Sequence, residues 1–238
     1  MKLVIFAGGF GTRISEETDY IPKPMVKIGK KPILWHIIKY YSVFGFSEFI
    51  ICGGYKINVI NNFFQKYKKK LNKLWNIKVI NTGMNSNTGE RLKRVKKYLD
   101  STFCLTYGDG LSNVDIKKLI NFHKKNKSIV TLTTVKPTPH FGKIILKGHK
   151  VKIFLEKDKK KESWINGGFF VCEKEVFKYL TKKNTIFESG VLNILAHKKK
   201  LAAYKHNDFW YCMDTLRDKR HLNNLWLSKK APWKIWND

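Results

Sequence analysis

The stretch MKLVIFAGGFGTR at the N-terminus constrains this chain more than any other. The apolar run 2–7 leads directly into a loop carrying Gly8, Gly9 and Gly11. A short continuous apolar run predicts a strand buried on both faces of a parallel sheet. Glycines lack a Cβ, so such a loop reaches positive φ and lets backbone N–H groups close around phosphate oxygens. Arg13 adds a planar cationic fork, and Lys23, held between Pro22 and Pro24, adds an ammonium on a restricted backbone. Together these features read as a phosphate site at the end of the first strand. The competing reading is a glycine turn beside a surface arginine. A dinucleotide fingerprint fails because Ile14 stands where its third glycine belongs, and no G-x-x-x-x-G-K-[ST] loop occurs.

Downstream, strand and helix patterns alternate. Pro32 opens a helix in which Ile33, Leu34, Ile37, Ile38 and Tyr41 recur at helical spacing and which Gly45 stops. The spacing predicts a strand over 49–52, a helix over 58–64 and a strand over 77–80. A helix capped by Thr88 follows, with Leu92, Val95 and Leu99 inward. A strand over 103–106, a helix from Asp115 and a β-branched strand over 128–135 complete the series. From 142 to 171 the pieces are shorter and separated by Gly turns and lysines, which predicts a small antiparallel β addition. A helical repeat over 187–200, strands over 201–204 and 209–212, and a closing helix capped by Asp214 or Thr215 end the chain. The expected fold is α/β: a Rossmann-like, mixed but mainly parallel sheet flanked by helices. We read one domain over 1–238, in two halves, 1–135 and 136–238.

Composition narrows the function classes. With 238 residues, 43% hydrophobic, and seven Trp, the chain can bury a sizeable core. No apolar run approaches the ~18 residues that span a membrane, and the N-terminal run is too short for a signal peptide. Cys52, Cys104, Cys172 and Cys212 are scattered without a CxxC or a histidine pair at metal spacing, so reduced thiols and a cytoplasmic setting are expected. The net charge of +29 invites a nucleic-acid reading, but the lysines are dispersed and lack interleaved stacking aromatics. A solvated lysine-rich surface is the expectation, with no nucleic acid and no membrane as partner. The histidines occur singly and receive no catalytic role.

Asp109 lies between Gly108 and Gly110 where an apolar strand ends, the place where open α/β sheets bind ligands. It reads either as a turn residue or as a carboxylate for Mg2+, which prefers hard oxygen ligands. Asp214 follows a later strand and reads either as a helix cap or as a second metal ligand.

AGGFGTRISEET followed by PKPMVKIGKKPILWHI resembles the N-terminal signature of the sugar-1-phosphate nucleotidyltransferases. Ser15-Glu16-Glu17-Thr18 is similar to the cytidylyltransferase branch, which makes CDP-glucose. Similar segments recur as FIICGGYK, TGERLKRV, LTYGDG, INGGFFV and FWYCMDTLRDK, ending in KAPWKIW, so the likeness covers nearly the whole chain. The resemblance implies that CTP and glucose 1-phosphate are the substrates and Mg2+ the cofactor, in surface-polysaccharide synthesis. It implies nucleotide contacts from Phe6, Ala7, Gly8, Gly9, Phe10, Gly11, Thr12, Arg13, Lys23, Ser86, Arg91 and Gly108. Arg13 and Lys23 would be catalytic and Asp109 and Asp214 would hold the metal. Lys157, Asn166 and Gly167 would meet the sugar phosphate, with solvated lysine as the other reading of Lys157. For Arg91 the other reading is a solvent-facing arginine. The sequence departs from the family pattern at Glu90, which puts a carboxylate beside an anionic ligand, and at Asp158, Ser189-Gly190-Val191 and a shortened basic connector near 66–76. The connector implies a homo-oligomer whose interfaces differ from those of relatives. Two rivals stand beside this reading: a nucleotide-binding homologue without turnover and an RNA-binding surface.

Overall fold

The structure is a computed structural model that describes residues 1–12, 19–68, 75–137, 143–155 and 163–237. Along the chain, β1 (Lys2–Ala7) is followed by the short pair β2 (Lys27–Ile28) and β3 (Lys31–Pro32), then α1 (Ile33–Val43), β4 (Glu48–Gly53) and α2 (Ile57–Lys68). Next come β5 (Asn76–Asn81), α3 (Thr88–Arg94), β6 (Phe103–Tyr107), β7 (Gly110–Ser112), α4 (Ile116–Asn126) and β8 (Val130–Val135). The remainder supplies β9 (Lys143–Lys147), β10 (Lys150–Leu155), β11 (Ile165–Asn166), β12 (Phe170–Cys172), α5 (Asn193–His197), β13 (Leu201–Lys205), β14 (Trp210–Cys212) and α6 (Leu216–Leu227).

The alternating apolar run of β1 explains its central place. Leu3 and Ile5 face one core, with α1, α2 and α4; Val4 and Phe6 face a second, with α3 and the helical segment after Ile186. All four side chains are at most 7% exposed, and burying each contributes about 1.5–3 kcal/mol. β1 pairs in parallel with β4 on one side and β6 on the other, and β5 extends the sheet beyond β4. β12 lies antiparallel between β6 and β8, and β13 runs parallel along the far side of β8. The sheet is therefore mixed and mostly parallel, with helices over both faces, as the alternation predicts.

The expected antiparallel addition is present in the C-terminal half, in two parts. β9 and β10 form a hairpin of their own, whereas β11 and β12 sit inside the main sheet against β8. Their register against β8 slips between Asn166 and Val171: Gly167, Gly168, Phe169 and Phe170 face only Leu132 and Thr133. Gly168 and Phe169 take positive φ, 74° and 47°, at this bulge. A short run such as FFVC is apolar whichever way it points, so its direction and place were invisible to periodicity.

Local details refine the helix ends. Thr88 is not the cap expected of it: Asn87 occupies the cap position, and the Thr88 hydroxyl is engaged elsewhere. The closing helix is capped by Thr215, not Asp214, through a reciprocal capping box with Asp218. Residues 187–192 form a π-helical turn that runs into α5.

Candidate active site

Parallel pairing of β1 with β6 puts Phe6 opposite Tyr107, so the glycine loop and the Tyr107-Gly108-Asp109 turn leave the sheet side by side. Immediately after that turn β7 pairs with β14, Gly110 opposite Cys212, and the Met213 amide donates to the Asp109 carbonyl at 2.9 Å. This second pairing brings Asp214 to Asp109 although they are far apart in sequence. Lys23, from a 3-10 turn, reaches over both. Its Nζ donates to Asp109 Oδ2 at 2.6 Å and to Asp214 Oδ1 at 2.6 Å. The Lys23 side chain is only 12% exposed. Burial works against its charge, but the two carboxylates outweigh it and hold the ammonium's pKa above the ordinary lysine value.

These groups stand in a cleft of about 360 Å³. Of the residues expected to bind nucleotide, Phe6, Ala7, Gly8, Gly9, Gly11, Thr12, Lys23, Ser86, Arg91 and Gly108 line it, as do Asp109 and Asp214. Phe10 does not; its ring lies 5.4 Å from that of Tyr55 at the surface. Arg13, Ser15-Glu16-Glu17-Thr18, Lys157 and Asp158 lie outside the described residues.

Arg91 is neither solvent-facing nor free to meet a ligand with all its donors. It is 4% exposed. Its Nη1 donates to the carbonyls of Gly53 and Gly83 and to Thr82 Oγ1, and its Nη2 to the carbonyls of Gly8 and Met84, at 2.8–3.2 Å. The guanidinium ties the glycine loop to the ends of β4 and β5. This bonding dictates glycine at position 8, where a Cβ would come within 2.1 Å of Arg91 Nη1. Gly11 is needed for another reason, its φ of 71°. Glu90 turns away from the cleft: it accepts from Arg94 Nε at 3.0 Å and from the Asn184 amide at 3.2 Å, and Arg94 lowers its pKa. The carboxylate expected beside an anionic ligand is thus already paired.

On the opposite wall Tyr107 and Thr88 donate to the two oxygens of Glu188, each at 2.6 Å, and Asn166 Nδ2 donates to the Tyr107 hydroxyl at 3.1 Å. Burial, then Glu188, push the Tyr107 pKa up, so the phenol stays protonated. Gly167 is buried, its carbonyl accepting from Trp210 Nε1 at 2.7 Å. Asn166 thus joins the cleft wall through Tyr107, while Gly167 lies behind it. Sequence reasoning missed Glu188, since its segment reads as an amphipathic helix; an acid two residues before a glycine in a helical repeat was the only signal.

The acidic pair fits a divalent cation. One oxygen each of Asp109 and Asp214 and the Cys212 thiol lie within 4.8 Å of one another, and the Lys23 ammonium already serves as the cation the carboxylates require. No helix among the described residues is long and apolar enough to cross a membrane.

The chain is similar to known proteins. The family described as "Nucleotidyl transferase" matches residues 2–238. Glucose-1-phosphate cytidylyltransferase of Salmonella typhimurium is 45% identical over 99% of this chain and 100% of its own length. Among solved structures, HddC from Yersinia pseudotuberculosis superposes with a TM-score of 0.73 at 24% identity, over 94% of this chain and 99% of the other. A UDP-glucose pyrophosphorylase complexed with UDP-glucose gives 0.73 at 17% identity, over 96% and 98% of the two chains, a likeness of fold. By its sequence over nearly its entire length, and in keeping with the glycine loop and acidic pair its fold assembles, the chain belongs to the nucleotidyl transferase family.

Proposed function

We propose that this chain transfers a cytidylyl group from CTP to glucose 1-phosphate, giving CDP-glucose and pyrophosphate. The observation that carries the reading is the Lys23 ammonium held between Asp109 and Asp214 beneath a glycine loop. The 45% identity to a glucose-1-phosphate cytidylyltransferase supports the choice of base and sugar. A sugar 1-phosphate is anionic at neutral pH, so its oxygen attacks the α-phosphorus without a general base as the bond to pyrophosphate breaks. Such a reaction needs alignment and charge neutralisation. The loop from Gly8 to Thr12, fixed by Arg91, presents backbone donors to the phosphates. Lys23 swings from the carboxylates to the α-phosphate, and Arg13 offsets charge on the leaving group.

Asp109 and Asp214 would hold Mg2+, which when bound offsets charge on the triphosphate. Asn166 and Gly167, with Lys157, form the sugar-phosphate side in this reading, and the Tyr107–Glu188 pair orients Asn166. The reading includes a cytoplasmic setting, a homo-oligomer and a role in surface-polysaccharide precursor synthesis. Four free cysteines are consistent with the setting, and light scattering tests the assembly. Of the three departures behind the rival without turnover, Glu90 is paired with Arg94, while Asp158 and residues 69–74 of the connector lie outside the described residues.

The test is a matrix of nucleoside triphosphates against sugar 1-phosphates read by pyrophosphate release. CTP with glucose 1-phosphate is expected to exceed every other pair, with UTP slower by about tenfold or more, since a site matched to the cytosine amine leaves polar groups unpaired with uracil. Equal rates with CTP and UTP overturn the cytidylyl assignment. No release with any pair overturns the enzyme.

A further inference from the structure

Cytidylyl transfer leaves one group beside the acidic pair without a task. Cys212 is the last residue of β14, and strand alternation turns it to the same side as Asp214, with fully buried Met213 facing the other way. Across the ladder it stands opposite Gly110, next to Asp109, where no side chain intervenes. The other three cysteines are 0% exposed inside the two cores, and none joins a comparable donor cluster among the described residues. The Cys212 sulfur and one oxygen from each aspartate lie within 4.8 Å of one another. Around a tetrahedral ion with bonds of ~2.3 Å to sulfur and ~2.0–2.2 Å to oxygen, neighbouring donors stand about 3.5 Å apart. Modest side-chain rotations therefore close the set once the Lys23 ammonium leaves.

We propose that Asp109, Cys212 and Asp214 form a binding site for a soft divalent ion of the zinc type, which takes the carboxylates away from Lys23 and from Mg2+ and arrests the enzyme. Mg2+ demands hard oxygen donors and gains little from sulfur, whereas Zn2+ and Cd2+ bind thiolate strongly, so the sulfur tilts a shared site toward the soft ion. On binding, the thiol proton passes to solvent and a metal–sulfur bond forms; no oxidant or reductant is involved. Three protein donors leave a fourth position open to water or a phosphate oxygen. Arrest rests on the proposed Mg2+ role of the two aspartates; binding of the soft ion does not.

Cd2+ titrated into the full-length, nucleotide-free protein tests the site through the ultraviolet sulfur-to-cadmium charge-transfer band. The band is expected to saturate at one equivalent, to vanish in Cys212→Ser and Cys212→Ala, and to be reversed by Zn2+ but not by Mg2+. Competition should show Zn2+ binding weaker by about tenfold or more in Cys212→Ser. Circular dichroism of both variants verifies folding, and two substitutions guard against the failure of either. Absence of the band in the unmodified protein, or its persistence in a folded Cys212 variant, overturns the site. A Cys212-dependent band alongside unimpaired turnover of Asp109→Asn and Asp214→Asn upholds the soft-ion site and removes the Mg2+ assignment instead.

Discussion

Replacing Lys23 with methionine keeps the length of the side chain and removes the cation that Asp109 and Asp214 share. The carboxylate oxygens, within 4.8 Å of one another, then stand without the ammonium between them. Two unit charges at about that distance repel by about 3.5 kcal/mol at an effective dielectric of ~20. The two side chains are 25% and 34% exposed, and solvent screening reduces the repulsion to about 2 kcal/mol. In the unmodified protein Mg2+ must displace an ammonium; in Lys23→Met it relieves a repulsion. Calorimetric titration of nucleotide-free Lys23→Met is therefore expected to show Mg2+ bound roughly tenfold more tightly, since 1.4 kcal/mol corresponds to a factor of ten. Pyrophosphate release from CTP and glucose 1-phosphate should meanwhile fall by about a hundredfold or more, because the α-phosphate loses its positive partner. The opposite signs of the two effects make the test demanding. Unchanged or weaker Mg2+ binding refutes the competition between ammonium and metal, and retained turnover refutes the catalytic role.

Asp109→Asn and Asp214→Asn should each lower turnover by about two orders of magnitude, with partial recovery at high Mg2+ and nearly unchanged melting; early melting with intact turnover per molecule would mark Asp214 as structural, against the capping box of Thr215 and Asp218. Arg91→Ala removes bonds to four carbonyls and a hydroxyl from a buried place; urea unfolding should register a loss of about 3 kcal/mol and the KM for CTP should rise, whereas unfolding like that of the unmodified protein would disprove the tether. His36 donates from Nε2 to the Ile28 carbonyl and accepts at Nδ1 from Trp233, and burial lowers its pKa to about 4 from 6.5. The unfolded chain then binds the extra proton first, so this contribution to stability is complete above pH ~6.5 and declines by up to about 3 kcal/mol as pH falls toward 4. His36→Gln should flatten that slope in urea titrations between pH 7 and 4.5, and an unaltered slope would show that His36 is not its source.

The site's two anchors were legible for different reasons. β1 could be read because a short unbroken run such as LVIF that ends in a glycine loop suits a strand buried on both faces, and the loop because Gly8 and Gly11 follow that strand directly with cations beyond them. Asp109 and Asp214 could be matched because each follows an apolar strand, even though the β7–β14 pairing that unites them has no local signature. The partners of Arg91 were beyond reach, being mostly backbone carbonyls, which every sequence offers alike. Glu188 and Thr88 escaped because a hydroxyl and a carboxylate from distant segments reveal their bond only when the chain has folded. The inserted β12 escaped because strand direction is decided by neighbours rather than by composition.

The position of β12 bears on how the chain comes to be folded during synthesis. β8 has β11, β12 and β13 as its partners in the main sheet, all made after it. β6, too, has one side unpaired until β12 arrives. A nascent chain that has emerged only as far as β8 therefore exposes three strand edges, both of β8 and one of β6, and such edges recruit other chains. Ribosomal pausing or truncation between β8 and β12 would turn a folding unit into an aggregation seed, so residue 135 is not a boundary at which the chain folds in two steps.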